Sequence, residues 1–258
     1  QDSWVKVTDG TNVIAGRIEK MSKSKRNVID PETIIENFGA DTARLFMLSD
    51  SPPERDMEWT ASGVEGASRF LRRIFQMAKD PDLAPIGSEV SPDSEGSALT
   101  LIRMAHKSIL GMSADIENFR FNRAVAQLHI LANTISDVKT ADRGAAAAKR
   151  FGVETLVQLL NPLSPHIAEE MWEILGHETM LAATEWPTAD ETLANDDDVE
   201  IGIQVNGKLR GTIKLPRDCE TSEAEAKALE LPAVLRYLDN KAPKKVVVVK
   251  NRIINVVV

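Results

Sequence analysis

Residues 60–78 read "TASGVEGASRFLRRIFQMA", and their spacing is helical. Ala67, Phe70, Leu71, Ile74, Phe75 and Ala78 fall at i, i+3, i+4, i+7, i+8 and i+11, one apolar stripe of a 3.6-residue period. Arg69, Arg72, Arg73 and Gln76 lie largely outside it. Thr60 precedes the stripe, where its hydroxyl can accept a free N–H of the first turn. Such a helix must bury its stripe against partners, and the downstream chain supplies them. Helices are predicted near 97–117, 121–138 and 145–160. Another starts after "PLSP", with Ser164 as cap and Pro165 in the first turn, and runs to Gly176. Amphipathic helices joined by short loops predict an antiparallel bundle.

Beyond the bundle the period changes to two. "IGIQVNGKLRGTIKLP" at 201–216 is two alternating strands around Asn206-Gly207, a strong hairpin signal. Alternation assigns Leu209, Gly211, Ile213 and Leu215 to one face and Lys208, Arg210, Thr212 and Lys214 to the other. A short helix near 221–230 follows Thr221, and "KKVVVVKNRIINVVV" at 244–258 gives two more strands with a Lys250-Asn251 turn. On the other side of the bundle, "DPETIIENFGADTARLFML" at 30–48 opens with Asp30 as cap and Pro31 in the first helical position, and Gly39 divides it in two. "SPPERDMEW" at 51–59 reads as irregular. Residues 4–18 suggest a short hairpin with turn signals at Asp9-Gly10 and Thr11-Asn12. The expected fold is mainly α with a small α+β C-terminal domain, divided as 1–60, 61–190 and 198–258.

The totals are those of a globular chain: 258 residues, 43% hydrophobic and 27% charged. No apolar run approaches the ~20 residues that span a bilayer, so no membrane partner is expected. Cys219 is the only cysteine, which excludes an internal disulfide and a cysteine zinc cluster and suits the cytoplasm. The chain opens on Gln1 with a strand already in progress, and is read as a piece of a longer protein. Net charge is −8, yet residues 80–102 and 178–200 hold 13 of the 39 acids and no Lys or Arg. The remainder carries 26 acids against 31 bases, so the acidity is expected in connectors and a polyanionic partner is compatible with the folded parts.

One short loop concentrates positive charge: "EKMSKSKRNV" at 19–28. Lys20 and Lys23 alternate with Ser22 and Ser24, compact cations interleaved with neutral donors, as a phosphate-holding loop needs. Composition alone equally fits a solvated turn or a contact to nucleic acid. Elsewhere, His166 beside Glu169 and Glu170 reads as structural, as does "ERDME" at 54–58. Trp59 and Trp186 read as anchors of connectors to the bundle.

The string "KMSKS" at 20–24, followed by "KRNVIDPETIIENFGADTARLFML", resembles the second signature of class I aminoacyl-tRNA synthetases. "SPPERDMEW", "GASRFLRR", "FNRAVAQL", "LLNPLSPHIAEEMWEILG" and the tail "IQVNGKLRGTI…KKVVVVKNRIINVVV" resemble the leucine-type members, so the resemblance runs from the loop to the last residue. It implies a ligase that joins leucine to ATP, expels pyrophosphate and passes leucine to its tRNA, with Mg2+ accompanying the ATP. Lys20, Met21, Ser22, Lys23 and Ser24 match the loop that closes on the triphosphate, with Lys23 as the main cation and Lys20 as helper. Arg69, Arg72, Arg73, Arg120 and Arg123 are candidate tRNA contacts. So are Lys208, Arg210 and Lys214, since the family's terminal domain binds the outer corner of tRNA. No metal site is expected here, and a monomer is expected.

The resemblance also implies what is missing. None of His106, His129, His166 and His177 sits in the family's first ATP-gripping signature, and no nucleotide-binding βαβ unit is present. The fragment is therefore expected to be inactive alone, with ATP and leucine bound through an N-terminal part. Isoleucine-type tails carry cysteine zinc clusters and valine-type tails a charged coiled coil, and neither fits. A stand-alone RNA-binding module is the alternative from another class.

Overall fold

The computed structural model describes every residue except 1–3, 7, 14, 15, 17, 195–197 and 239–241. The hairpin expected over 4–18 lies partly outside the described residues. Within them β1 (Trp4–Val5) and β2 (Asn12–Val13) pair antiparallel across a turn in which Gly10 has φ 70°. After the basic loop come α1 (Pro31–Phe38) and α2 (Ala40–Ser49). Asp30 caps α1 by accepting the Glu32 N–H at 3.0 Å, and Gly39, with φ 86°, turns the chain between the two helices. The bundle follows as α3 (Ala61–Met77), α4 (Gly96–Glu117), α5 (Phe121–Ser136), α6 (Ala145–Leu160) and α7 (Pro165–Ile174). Thr60 accepts the Gly63 N–H at 3.2 Å at the head of α3, as its sequence position predicts.

The α3 stripe packs as its periodicity requires. Phe70, Leu71, Ile74 and Ala78 are buried, with Ala67 and Phe75 partly so, in a single apolar cluster that extends from Leu45 of α2 to Leu181. Helix α4 contributes Ala98, Leu101, Ile102, Ala105, Ile109 and Met112 to that cluster and packs against both α5 and α6.

Two helix starts in the bundle, those of α4 and α7, are held by carboxylates distant in sequence. Ser164 makes no cap bond to the first turn of α7. Asp41 of α2 replaces it: the carboxylate accepts the Ile167 N–H at 2.6 Å and meets His166 Nδ1 at 2.9 Å. Three residues on, Arg44 donates to the carbonyls of Pro162 and Leu163 at 3.0 and 3.1 Å. One turn of α2 thus offers an anion to the start of α7 and a cation to the carbonyls following α6, the signs that the helix dipoles favour. Asp142 does the same for α4, accepting the Ser97 N–H at 2.7 Å and its hydroxyl. Gly96 permits this approach, because a Cβ there would stand 2.7 Å from Asp142 Oδ2.

The second acidic stretch is not a free connector over its described part. A 3-10 turn at Leu181–Ala183 has its Leu181 and Ala182 N–H groups capped by Glu169 at 2.7 and 2.8 Å. Trp186 Nε1 donates to Ser113 at 2.8 Å, and α8 (Glu191–Ala194) packs on α4. Leu181 and Ala194 bury the apolar side of this strap. In the first acidic stretch, Asp80 is paired with Lys149 at 2.7 Å. Trp59 stands edge-on to Phe46 at 5.0 Å. Both tryptophans therefore anchor connectors, as the sequence reading has them.

The C-terminal region has its own cluster. Strands β3 (Asp198–Val205) and β4 (Lys208–Pro216), helices α9 (Thr221–Leu229) and α10 (Pro232–Leu238), and strands β5 (Lys245–Val249) and β6 (Ile253–Val257) form a four-stranded sheet in the order β4-β3-β6-β5. Its outer pairs are antiparallel hairpins, and β3 and β6 join them in parallel. Ala224, Ala228, Val234 and Leu238 of the helices pack on Ile201, Ile203, Val205, Leu215, Ile254 and Val256. Asn206 and Gly207 have φ 49° and 78°, the left-handed pair that a tight hairpin turn needs. Helix α10 is absent from the sequence reading, although Pro232 in its first turn is a start signal. Among the described residues no helix is long and apolar enough to cross a membrane.

The capping can be tested at both helices. Asp41→Ala is expected to destabilise the fold by about 1–3 kcal/mol, because the partly buried Ile167 N–H loses its acceptor, with Asp41→Asn losing less; denaturant unfolding of the three proteins checks this. The Ser97 hydroxyl and N–H hold the Asp142 carboxyl below its ordinary value near 3.8. A lowered folded-state pKa contributes stability above the unfolded value that is lost as pH falls through the folded one. The stability gap between the native protein and Asp142→Asn should be full above about pH 5 and close below it. A gap unchanged down to the acid limb contradicts the cap.

Candidate functional site

The basic loop is closed on itself by one side chain. Ser22 is extended, Lys23–Lys25 make a single 3-10 turn, and Arg26 is left-handed at φ 52° with its N–H on the Lys23 carbonyl at 3.2 Å. Asn27 folds back across the turn. Its Oδ1 accepts the Ser22 N–H at 2.8 Å and its Nδ2 reaches the Lys20 carbonyl at 3.4 Å. The Ser22 and Ser24 hydroxyls stand 3.3 Å apart. Asn27 is not singled out by the sequence reading. The available signal is an Asn just past a Lys/Ser run, a residue suited to bonding nearby backbone.

The cations of the loop are not equivalent. Lys25 is paired with Glu19 at 2.9 Å, an exposed pair of small energetic weight. Lys20 and Lys23 are exposed and, among the described residues, neither makes an ion pair or a side-chain hydrogen bond. Met21 is exposed as well, and Ser22 is half-buried. Two unpaired ammonium groups, two hydroxyls and a turn pinned by Asn27 make a donor set for a polyanion. Among the described residues no group of three or more His, Cys, Asp or Glu is placed to hold a metal ion.

The other candidate cations occupy three separate places. On α3, Arg69 pairs with Glu65 at 3.6 Å, Arg72 donates to Ser68 at 2.9 Å, and Arg73 donates to Asn133 at 2.9 Å. Arg72 also lines an open cleft with Asn37, Gly39, Asp41 and His166. Arg120 and Arg123 stand at the α4–α5 turn, where Arg123 meets the buried Asp115 at 3.2 Å. Lys208, Arg210 and Lys214 lie on β4.

On β4 the expected alternation fails. The register shifts between Ile203 and Gln204, so that Gly211 faces Ile203, Leu209 faces Gln204 and Arg210 is the extra residue of a bulge. Leu209 is 62% exposed rather than buried. Arg210 stands over the Tyr237 ring of α10, 4.5 Å from its centroid. Lys208 faces Val205, whereas Lys214 stays opposite Glu200 beside Thr212. The three cations therefore do not share one face as a comb.

The histidines are structural in their surroundings. His166 is tied to Asp41, and His177 stacks on Trp172 with centroids 3.5 Å apart and meets Glu154 at 2.9 Å. His129 stacks on Phe70 at 3.8 Å, where burial, then the charge of Arg73, lowers its pKa. Burial likewise lowers the pKa of His106, against the opposing charge of Asp190.

Known proteins give the same pattern a family. Residues 6–60 match the family model described as tRNA synthetases class I (I, L, M and V), and residues 99–225 match the anticodon-binding domain of tRNA ligase. The leucine–tRNA ligase of Rhodospirillum rubrum is 52% identical over 98% of this chain and 30% of its own length. That of Paramagnetospirillum magneticum is 48% identical over 96% of this chain and 29% of its own. A crystal structure of a LeuRS–tRNA–LeuAMS ternary complex from Agrobacterium radiobacter K84 superposes with a TM-score of 0.80 at 31% identity, over 92% of this chain and 31% of that one. The chain thus spans about 30% of the length of the curated relatives it matches. Over nearly its whole length the chain is homologous to a part, about 30%, of the leucine–tRNA ligases, and its family-model matches are to class I tRNA synthetases and to the anticodon-binding domain of tRNA ligase.

Proposed function

We propose that this chain is the part of a leucine–tRNA ligase that closes a cationic loop on ATP and carries tRNA-binding regions, divided at 1–60, 61–190 and 198–258. The observation that carries the reading is the pair of exposed ammonium groups at Lys20 and Lys23, unpaired among the described residues, on a turn that Asn27 holds in shape. In the reaction the leucine carboxylate attacks the α-phosphorus and the bond to pyrophosphate breaks. Negative charge grows on the leaving oxygens. Lys23, with Lys20 beside it, stabilises that charge more strongly in the transition state than in bound ATP, which is the condition for acceleration. Ser22 and Ser24 add neutral donors, and Met21 lies within the same ATP-closing segment. Lys25, in an exposed pair with Glu19, is not among the cations assigned to the phosphate.

In this reading Mg2+ arrives on the triphosphate. Leucine and the rest of ATP are bound by parts of the enzyme outside this chain, so the chain alone is inactive. The enzyme acts as a cytoplasmic monomer on leucine tRNA. Arg69, Arg72 and Arg73 on α3, Arg120 and Arg123 at the α4–α5 turn, and Lys208, Arg210 and Lys214 on β4 supply separate electrostatic contacts to its backbone.

In the ligase that contains this chain, Lys23→Ala is expected to slow ATP–pyrophosphate exchange by about 10²–10³-fold with leucine KM little changed. An unchanged exchange rate refutes the assignment. Replacing Lys208, Arg210 and Lys214 together with Gln should weaken tRNA binding and flatten its salt dependence, by about 0.7–0.9 in logarithmic slope for each phosphate no longer neutralised. An unaltered slope removes β4 from the interface.

A further inference from the structure

The α4–α5 turn holds a residue that folding alone does not explain. Helix α4 ends in the two hydrogen bonds of a Schellman motif: the Phe119 N–H reaches the Ile116 carbonyl at 3.0 Å and the Arg120 N–H reaches that of Asp115 at 2.7 Å. The motif puts Phe119 in the left-handed position, φ 56°, that glycine ordinarily fills. A bulky L-residue is strained there. Burial gives nothing back, since the side chain is 64% exposed and its ring contact is the edge of Phe121 at 5.9 Å. An aromatic ring is thus held in water at a conformational cost.

Its surroundings are cationic. Arg120 is exposed beside it, and Arg123 is 60% exposed while the buried carboxylate of Asp115 fixes its guanidinium at 3.2 Å. Glu117 is the exposed acid of residues 114–123. An exposed ring in the same turn as two arginines has the make-up of a nucleotide site: bases stack on the face and phosphates meet the cations. A protein partner would call instead for a broader apolar patch around the ring, and the adjoining residues Asn118 and Arg120 are polar.

We propose that Phe119, in the turn that carries Arg120 and leads to Arg123, is a stacking platform for an unpaired base of bound RNA. The inference rests on the tRNA reading above and adds a contact with a base to the backbone contacts given there. Stability and affinity should then move in opposite directions. In the ligase, Phe119→Gly relieves the left-handed strain, so the protein should unfold no earlier on heating. Its affinity for a leucine tRNA transcript should fall by about 5- to 150-fold. Phe119→Trp should keep affinity near the native value. The salt slope should be unchanged in both, because neither substitution removes a charge that neutralises phosphate, whereas Arg120→Gln should lower it by about 0.7–0.9. Phe119→Gly with native affinity overturns the platform and leaves the ligase reading standing. Loss of affinity together with loss of thermal stability assigns Phe119 to the fold and also overturns it. A native ligase that does not bind the transcript overturns both readings.

Discussion

One turn of α2 sets how the loop-bearing segment meets the bundle. Asp41 takes the N–H of the first turn of α7, and Arg44 takes the carbonyls of Pro162 and Leu163. Leu45 and Phe46 of the same helix are buried, with Leu45 in the bundle cluster. The carboxylate is nearly buried, so its bonds are made in a medium where an unmade one is expensive. The segment after the basic loop is thereby fixed to the turn between two bundle helices.

Outside that contact the loop is built for exposure. Its backbone is closed by Asn27 and its neighbour Lys25 by Glu19, while Lys20 and Lys23 project into solvent. Unpaired cations near one another gain from any polyanion that arrives between them. The same logic of internal restraint and outward function recurs at Arg123, which a buried Asp115 orients while leaving it exposed.

Much of this is legible in the sequence, for identifiable reasons. Long apolar periods fix α3 to α7, because burial of a stripe overrides local detail. Asn206-Gly207 fixes the β3–β4 hairpin through backbone preference alone. The features that escape it are decided by distant partners. Ser164 has the side chain of a cap, yet Asp41, more than a hundred residues away, takes the N–H. The bulge at Arg210 inverts the faces of Lys208 and Leu209, since a single extra residue reverses a period of two. The acidic residues near 181–194 suggest a tether because charge is visible in sequence, while Leu181, Trp186 and Ala194, which dock that segment, are few and widely spaced. Lys20 and Lys23 are legible as a motif, but their freedom from ion pairs among the described residues is not.

Lysine footprinting reads that freedom directly. With an amine-reactive reagent on the ligase, Lys20 and Lys23 should label readily in the free enzyme and become protected at saturating ATP and leucine, while labelling of Lys25 stays constant. Equal labelling of Lys20 and Lys23 with and without ATP contradicts a loop that closes on the triphosphate.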